Sequence, residues 1–304
     1  MKVQNPLSKA HLAAVASMFV VLAMGLYMVP RSTADSITFA SIDFPSAVGT
    51  GANGINPLAQ IVGGYGSVDG KAHGFLLSGD SFMTVDFPGA TASFAFGINA
   101  QGEIAGSYEI VAGESHGYVL IDGNFTSFDF PGSMFTEAGK INNAGDIIGL
   151  YDDAGGNTHG FLLSSGNFTS IDFPGAVFTI TQDISNVGRI VGRYGDTAAN
   201  IHGFLLNDGD FSSIDFPGAT STECFGINPA GVIVGRYAVE GQDPVSAGHG
   251  FVLAGGSFTT IDFPGASVTT PVGINARGQV VGYYEDSNGH SHGFVTNPVH
   301  HLSS

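Results

Sequence analysis

The sequence has no tryptophan, a single cysteine and only nine lysine and arginine residues among 304. Cys224 has no partner for an intramolecular disulfide, so the fold must hold by packing. So few basic residues leave a formal net charge of -17, and an acidic surface repels phosphate backbones and anionic lipid. That argues against nucleic acid and membrane surfaces as partners and favours uncharged or cationic ones. Charged residues are also scarce at 12%, against 43% hydrophobic, and a chain of this length can bury a sizeable core. The absence of tryptophan removes the side chain best suited to stack on a sugar ring.

What is present is one sentence written six times, most legibly as "SIDFPGATSTECFGINPAGVIVGRY", a loop, then "HGFVL". Its Asp-Phe-Pro triplet recurs at Asp43, Asp86, Asp129, Asp172, Asp215 and Asp262, a spacing of 43 residues four times and 47 once. Periods in this range belong to repeat architectures. The 46 glycines and 13 prolines fall largely at fixed places in the repeat and serve as its punctuation.

Each repeat carries four short strand-like segments. The first is an alternating "FxxIDF" run ended by proline, which cannot donate to a ladder. The second carries Gly-Ile-Asn, the third Ile-Val-Gly-x-Tyr and the fourth His-Gly-Phe, with hairpin-sized turns between second and third and between fourth and next first. Four antiparallel strands in about 43 residues make one blade of a β-propeller, and six repeats predict six blades. The all-β ring should close by pairing residues 37–44 with residues 293–296, which removes the exposed edges. In the third segment a glycine stands two places before a tyrosine, and the tyrosine ring is expected to fill the space the glycine vacates. Cys224 replaces Ala52, Ala95, Ala138, Thr181 and Pro271 of the other repeats, which marks it as a small buried residue.

The residues that could carry chemistry divide into repeated and unrepeated ones. His73, His116, His159, His202, His249 and His292 recur once per repeat, too dispersed around a disc to converge on one metal ion, and are expected to bond the turn before their strand. The six triplet aspartates are likewise scaffold, expected to accept backbone N–H groups of the turn that follows. Acidic loops such as "YDDAGGNTHG" suggest at most a structural calcium, and no metal site or other cofactor is expected. Where the repeat breaks, Gly54, Gly97, Gly226 and Gly273 are matched by Lys140 and Asp183, and three places earlier stand Glu137 and Glu223. With the second strand innermost, these four would face the tunnel mouth as a binding site, or Lys140 and Asp183 would pair as a salt bridge between adjacent blades.

The pattern resembles that of the bacterial extracellular HAF-repeat proteins, whose units read "GIN..G.IVG.Y....g..HGF". The similarity covers residues 36–296, with His-Gly-Phe here where the family name reflects His-Ala-Phe, and with an added Asp-Phe-Pro-Gly. The resemblance implies a secreted repeat protein and brings no catalytic residues. Residues 1–34 fit it as a signal peptide or N-terminal anchor: Lys2 and Lys9, an uncharged run over 12–29, and a Ser-Thr-Ala end. Residues 35–299 form the propeller and 300–304 a tail. The expectation is a monomeric, secreted binding module, extracellular or periplasmic, taking a glycan or an envelope protein. A hydrolase or lyase at the tunnel mouth is the alternative, and it requires the four unrepeated residues to converge.

Overall fold

The computed structural model describes residues 36–242 and 248–299. The expected signal or anchor segment and the tail, with His300 and His301, lie outside the described residues. Among the described residues the regular structure is all strand: 24 strands, numbered β1 to β24 along the chain.

The Gly-Ile-Asn segments form β2 (Gly49–Ile55), β6 (Ala92–Ile98), β10 (Phe135–Ile141), β14 (Phe178–Ile184), β18 (Ser221–Ile227) and β22 (Val268–Ile274). Each touches the next and β22 touches β2, so these six strands make a closed circuit about an axis. The Gly-x-Tyr segments lie outside them as β3 (Ile61–Gly66), β7 (Ile104–Glu109), β11 (Ile147–Asp152), β15 (Ile190–Gly195), β19 (Ile233–Ala238) and β23 (Val280–Glu285). The His-Gly-Phe segments follow as β4 (Ala72–Ser78), β8 (Ser115–Ile121), β12 (Thr158–Ser164), β16 (Ile201–Asn207), β20 (His249–Ala254) and β24 (Ser291–Thr296). Outermost are the alternating runs, β1 (Phe39–Ile42), β5 (Ser81–Val85), β9 (Asn124–Phe128), β13 (Asn167–Ile171), β17 (Asp210–Ile214) and β21 (Ser257–Thr260).

Hydrogen bonding gives four four-stranded sheets and one eight-stranded sheet, in which β14–β17 and β18–β21 are joined by a single parallel bridge, Ile201 to Ser221. The result is a β-propeller, a ring of small antiparallel sheets. The sheet containing the C-terminal strands takes β1 as its outer member, with Phe39 opposite Thr296 and Ile42 opposite Gly293. The pairing expected of the two ends is present.

Packing within each sheet differs from the sequence reading at one point. A Cβ on Gly63 would collide with the Gly51 carbonyl and come 2.6 Å from the ring of Phe75, so the space belongs to the phenylalanine of the next strand. Tyr65 instead stacks on Phe44, the phenylalanine of the Asp-Phe-Pro triplet, with centroids 3.7 Å apart and planes 5° apart. All six tyrosines repeat this stack. These rings pack among the more numerous buried isoleucines and valines, and each buries a large area with few rotatable bonds. Between sheets the contact is made by small residues: a Cβ on Gly203 would lie 2.6 Å from the sulfur of Cys224, which is fully buried. Burial raises its thiol pKa well above the ordinary range, since it disfavours the thiolate.

Candidate functional site

Each inner strand shifts register just before its Gly-Ile-Asn, between Ala52 and Gly54 in the first and at the matching places in the others. A bulge re-aims the residue that follows it, and here it turns the glycine position toward the axis. The backbones close in there: a Cβ on Gly54 would lie 2.8 Å from the Phe96 carbonyl, and one on Gly97 2.7 Å from the Cα of Lys140. This makes a waist, with an axial cavity on each side of it.

Lys140 and Asp183 occupy that waist, both buried. The Lys140 ammonium donates to the carbonyls of Asn53 and Phe96, while the Asp183 carboxylate accepts N–H bonds from Ile184 and Ile227, each at 2.8 Å. Lys140 and Asp183 make no ion pair within 4.0 Å, so the expected salt bridge between adjacent sheets is not the way either charge is satisfied. Backbone dipoles do that work, reached because the chain at the waist carries no other side chains. Burial lowers the Lys140 pKa to about 8 against the pull of Asp183, and raises that of Asp183 to about 6 against Lys140 and the two N–H bonds.

On one side, the mouth formed by the β2–β3 turn and its equivalents is lined by Asn56, Asn99, Asn143, Asn186 and Asn275, with Lys140 and Asp183 at its floor. These asparagines are spoken for. Asn99 Nδ2 donates to Asn142 O at 3.1 Å in the next sheet, while its Oδ1 accepts from Gln101 N and Glu103 N of its own turn. The same bond runs from Asn56 to Asn99, from Asn228 to Asn275 and from Asn275 to Asn56. It lapses at two steps, from Asn142 to Ser185, where Asn142 Nδ2 donates to Asp146 Oδ2 at 3.0 Å in its own turn, and from Ser185 to Asn228, where serine replaces the asparagine. The signal in the sequence was the Asn of Gly-Ile-Asn, which recurs with the repeat and was used only to mark the second strand.

On the other side lies a cavity of about 610 Å³, counting its open end, lined by Phe96, Phe225, Tyr283 and Leu150 and by Glu137, Asn53, Gln182 and Thr270. Glu137 is half-buried and makes no hydrogen bond or ion pair among the described residues. Burial pushes its pKa up to about 7, with Arg193 pulling it down and Glu109 adding to the rise. The Thr270 hydroxyl, 1% exposed as a residue, also has no partner. Glu223, by contrast, is clamped by Arg193 and by Arg236, whose Nη2 is 2.5 Å from Oε1. Both arginines stand at the variable x of Gly-x-Tyr, a position the sequence reading passed over. The four unrepeated residues therefore do not all converge: Asp183 stays in the waist, Glu223 is held by arginines, and Lys140, which spans the waist, shares the cavity lining with Glu137, whose carboxyl is the unpaired one of the four.

The repeated residues have partners of their own. Each histidine donates or accepts through Nδ1 with the triplet aspartate thirteen places on, as in His73 to Asp86 at 2.7 Å, and the ends are joined by His292 and Asp43. The Nε2 of His159 reaches Asp153 in the preceding turn, 3.4 Å away. The aspartates thus bond histidine rather than the following turn; that turn is capped by a threonine or serine of the inner strand, as in Phe44 N to Thr50 Oγ1 at 3.0 Å. Among the described residues no group of three or more His, Cys, Asp or Glu is placed to hold a metal. In the loop read as calcium-like, Asp153 Oδ1 accepts from Gly155 N, Asn157 N and Asn157 Nδ2.

No protein-family model and no curated protein matches the chain. Solved structures do resemble it. SapL1 lectin matches over 80% of this chain and 90% of its own, at 11% identity and a TM-score of 0.54. The lectin of Aleuria aurantia covers 81% and 96% at 14% and 0.50, and AofleA from Arthrobotrys oligospora 84% and 81% at 14% and 0.50. At such identity the likeness is one of fold: this chain is a β-propeller.

Proposed function

We propose that this chain is a secreted, six-bladed HAF-repeat propeller that binds a glycan in the axial cavity beside Glu137. The observation that carries the reading is where the repeat breaks. Sheet packing uses the same residues six times, whereas the cavity wall varies: one aligned position reads Asn53, Phe96, Gly139, Gln182, Phe225 and Val272 around the ring, and Glu137 and Thr270 enter from two places earlier in their strands. Aromatic walls with a few polar groups are what a small polyol needs, rings for its C–H faces and unpartnered oxygens for its hydroxyls. Phe and Tyr take the part of the absent tryptophan.

Two neighbours in fold support the ligand class: SapL1 was solved in complex with alpha methyl fucoside and the Aleuria lectin with Fucalpha1-6GlcNAc. A hydrolase or lyase is the weaker reading, because the cavity lining holds no second carboxyl, and Lys140, the other charged residue there, is bonded to two backbone carbonyls. Dividing the eight-stranded sheet at its single bridge supports the count of six blades. The test is a glycan array followed by titration of the best binder into wild type and Phe225→Ala. Binding that weakens at least tenfold in the variant supports the assignment, and binding that is absent, or unchanged by it, overturns it. N-terminal sequencing of protein from the culture medium, beginning near Asp35, tests secretion.

A further inference from the structure

We infer that the sugar taken by the axial cavity carries a free ammonium group, which pairs with Glu137. This deepens the glycan reading and rests on it. The cavity lining holds one carboxyl, Glu137, and one ammonium, Lys140; Arg193, which also acts on Glu137, and Arg236 stand beyond it. The cations are committed elsewhere: both arginines to Glu223, and the Lys140 ammonium to two carbonyls. Glu137 is the carboxyl left over.

A half-buried carboxylate without a hydrogen-bond donor is costly, and it either takes a proton or takes a cation. The rise of its pKa to about 7 marks that cost, with Arg193 too far to form an ion pair. A neutral hydroxyl would relieve it partly, an ammonium more fully, since a charge-assisted hydrogen bond is roughly twice as strong as a neutral one. The wall suits a cation too: Phe96, Phe225 and Tyr283 line the same space, the Phe225 ring already carries the Arg236 guanidinium 5.9 Å from its centroid, and the face of an aromatic ring attracts an ammonium. Thr270 lines the same cavity, and its hydroxyl, shielded from solvent and without a partner, meets a sugar hydroxyl once the side chain turns toward the cavity. A net protein charge of -17 draws such a ligand in.

The experiment is titration calorimetry at pH 7 of the intact protein with glucosamine, N-acetylglucosamine and glucose, repeated with Glu137→Gln and Thr270→Val. Glucosamine should bind about tenfold tighter than the other two. Glu137→Gln should remove that preference while leaving weak glucose binding, and Thr270→Val should weaken all three sugars alike. Equal binding of the three sugars by wild type overturns the ammonium inference and leaves the glycan reading standing. No binding of any of them, with the glycan array also blank, overturns both. Because the comparison among sugars is made on wild type, the result does not hang on how the variants fold.

Discussion

Asp43 Oδ1 lies 2.7 Å from Nδ1 of His292, joining positions 249 residues apart. The same bond inside other sheets spans thirteen residues, as between His202 and Asp215 at 2.8 Å. Chemistry and geometry are alike in the two places, but only the first fastens the ends of the ring. Asp43→Ala should therefore loosen closure, whereas Asp215→Ala acts within a hairpin that the chain itself holds. Both pairs are largely exposed, so each loss is about 0.5–1 kcal/mol. Hydrogen exchange separates them: amides of Phe39–Ile42 and Gly293–Thr296 should lose protection in Asp43→Ala and keep it in Asp215→Ala. Equal protection in both variants would mean that the backbone ladder alone closes the ring.

Gly63 and Gly64 are neighbours with opposite tolerances. A methyl on Gly63 meets the Gly51 carbonyl and the Phe75 ring, whereas on Gly64 its nearest atom is 3.7 Å away, an ordinary contact. Gly63→Ala is expected to cost about 3 kcal/mol or more, since backbone and a core ring would both have to move, and Gly64→Ala less than about 1 kcal/mol. Urea denaturation of the two variants gives the comparison, and similar midpoints would rule out the close approach.

The asparagine ladder can be tested one function at a time. Asn99→Asp keeps an acceptor for Gln101 N and Glu103 N but replaces the donor to Asn142 O, and to Glu103 Oε2 at 2.6 Å, with an oxygen. It should destabilise by about 2 kcal/mol, because two acceptors would then face a third. Ser185→Ala, where the ladder is already open, should cost less. Thermal melts of both variants check the order.

The repeat period announced the ring, and the interchangeable ends announced its closure, because both depend on backbone pairing that every copy encodes alike. The His–Asp pairs were also within reach. His73 and Asp86 flank the facing pair Gly74 and Val85 of adjacent antiparallel strands, a register that hairpin length alone dictates. Lys140 and Asp183 do reach the axis, as expected; what could not be read was the cause. Strict alternation puts them on the face opposite Glu137 and Gln182, and a bulge, which leaves no mark in composition, brings them to the axis instead. The arginines holding Glu223 escaped for another reason: Gly64, Ser107, Leu150, Arg193, Arg236 and Tyr283 share one position with no common chemistry.

Stability should depend on pH with a definite sign. Glu137 and Asp183 bind a proton more tightly when folded, at about 7 and about 6 against ordinary values of 4.5 and 3.8. Their contribution is lost as pH rises across those intervals. His159 and His202 act in the same sense: burial disfavours the charged ring, but hydrogen bonds donated to Asp172 and Asp153, and to Asp215 and Asp196, outweigh it and raise both. That stability is complete below about 6.5 and declines as pH rises through the folded values. Asp196 runs the other way, held at about 2 chiefly by the Asn200 side chain, so its share is present above 3.8 and lost toward pH 2. Lys140, lowered to about 8 by burial, regains stability only between about 8 and 10.5. Tm measured by calorimetry should therefore be higher at pH 5 than at pH 8, and Asp183→Asn should reduce the difference. A flat profile would contradict these assignments.

The waist offers the sharpest test of how two buried charges share a site without touching. In four sheets the position is glycine, so Lys140→Gly and Asp183→Gly each restore the majority residue. Taken singly, each removal leaves the opposite charge buried without its counterpart, held by carbonyls in one case and by the N–H groups of Ile184 and Ile227 in the other. Removing both leaves no buried charge at all. The losses should therefore not add: the double variant should be more stable than the sum of the single ones predicts by at least about 1 kcal/mol, measured by urea denaturation. Additive losses would mean that backbone dipoles screen the two charges completely, so that Lys140 is fixed by Asn53 and Phe96 alone. In either outcome the double variant reports what the plug separates, since a glycine at all six places would join the asparagine-lined mouth to the cavity beside Glu137.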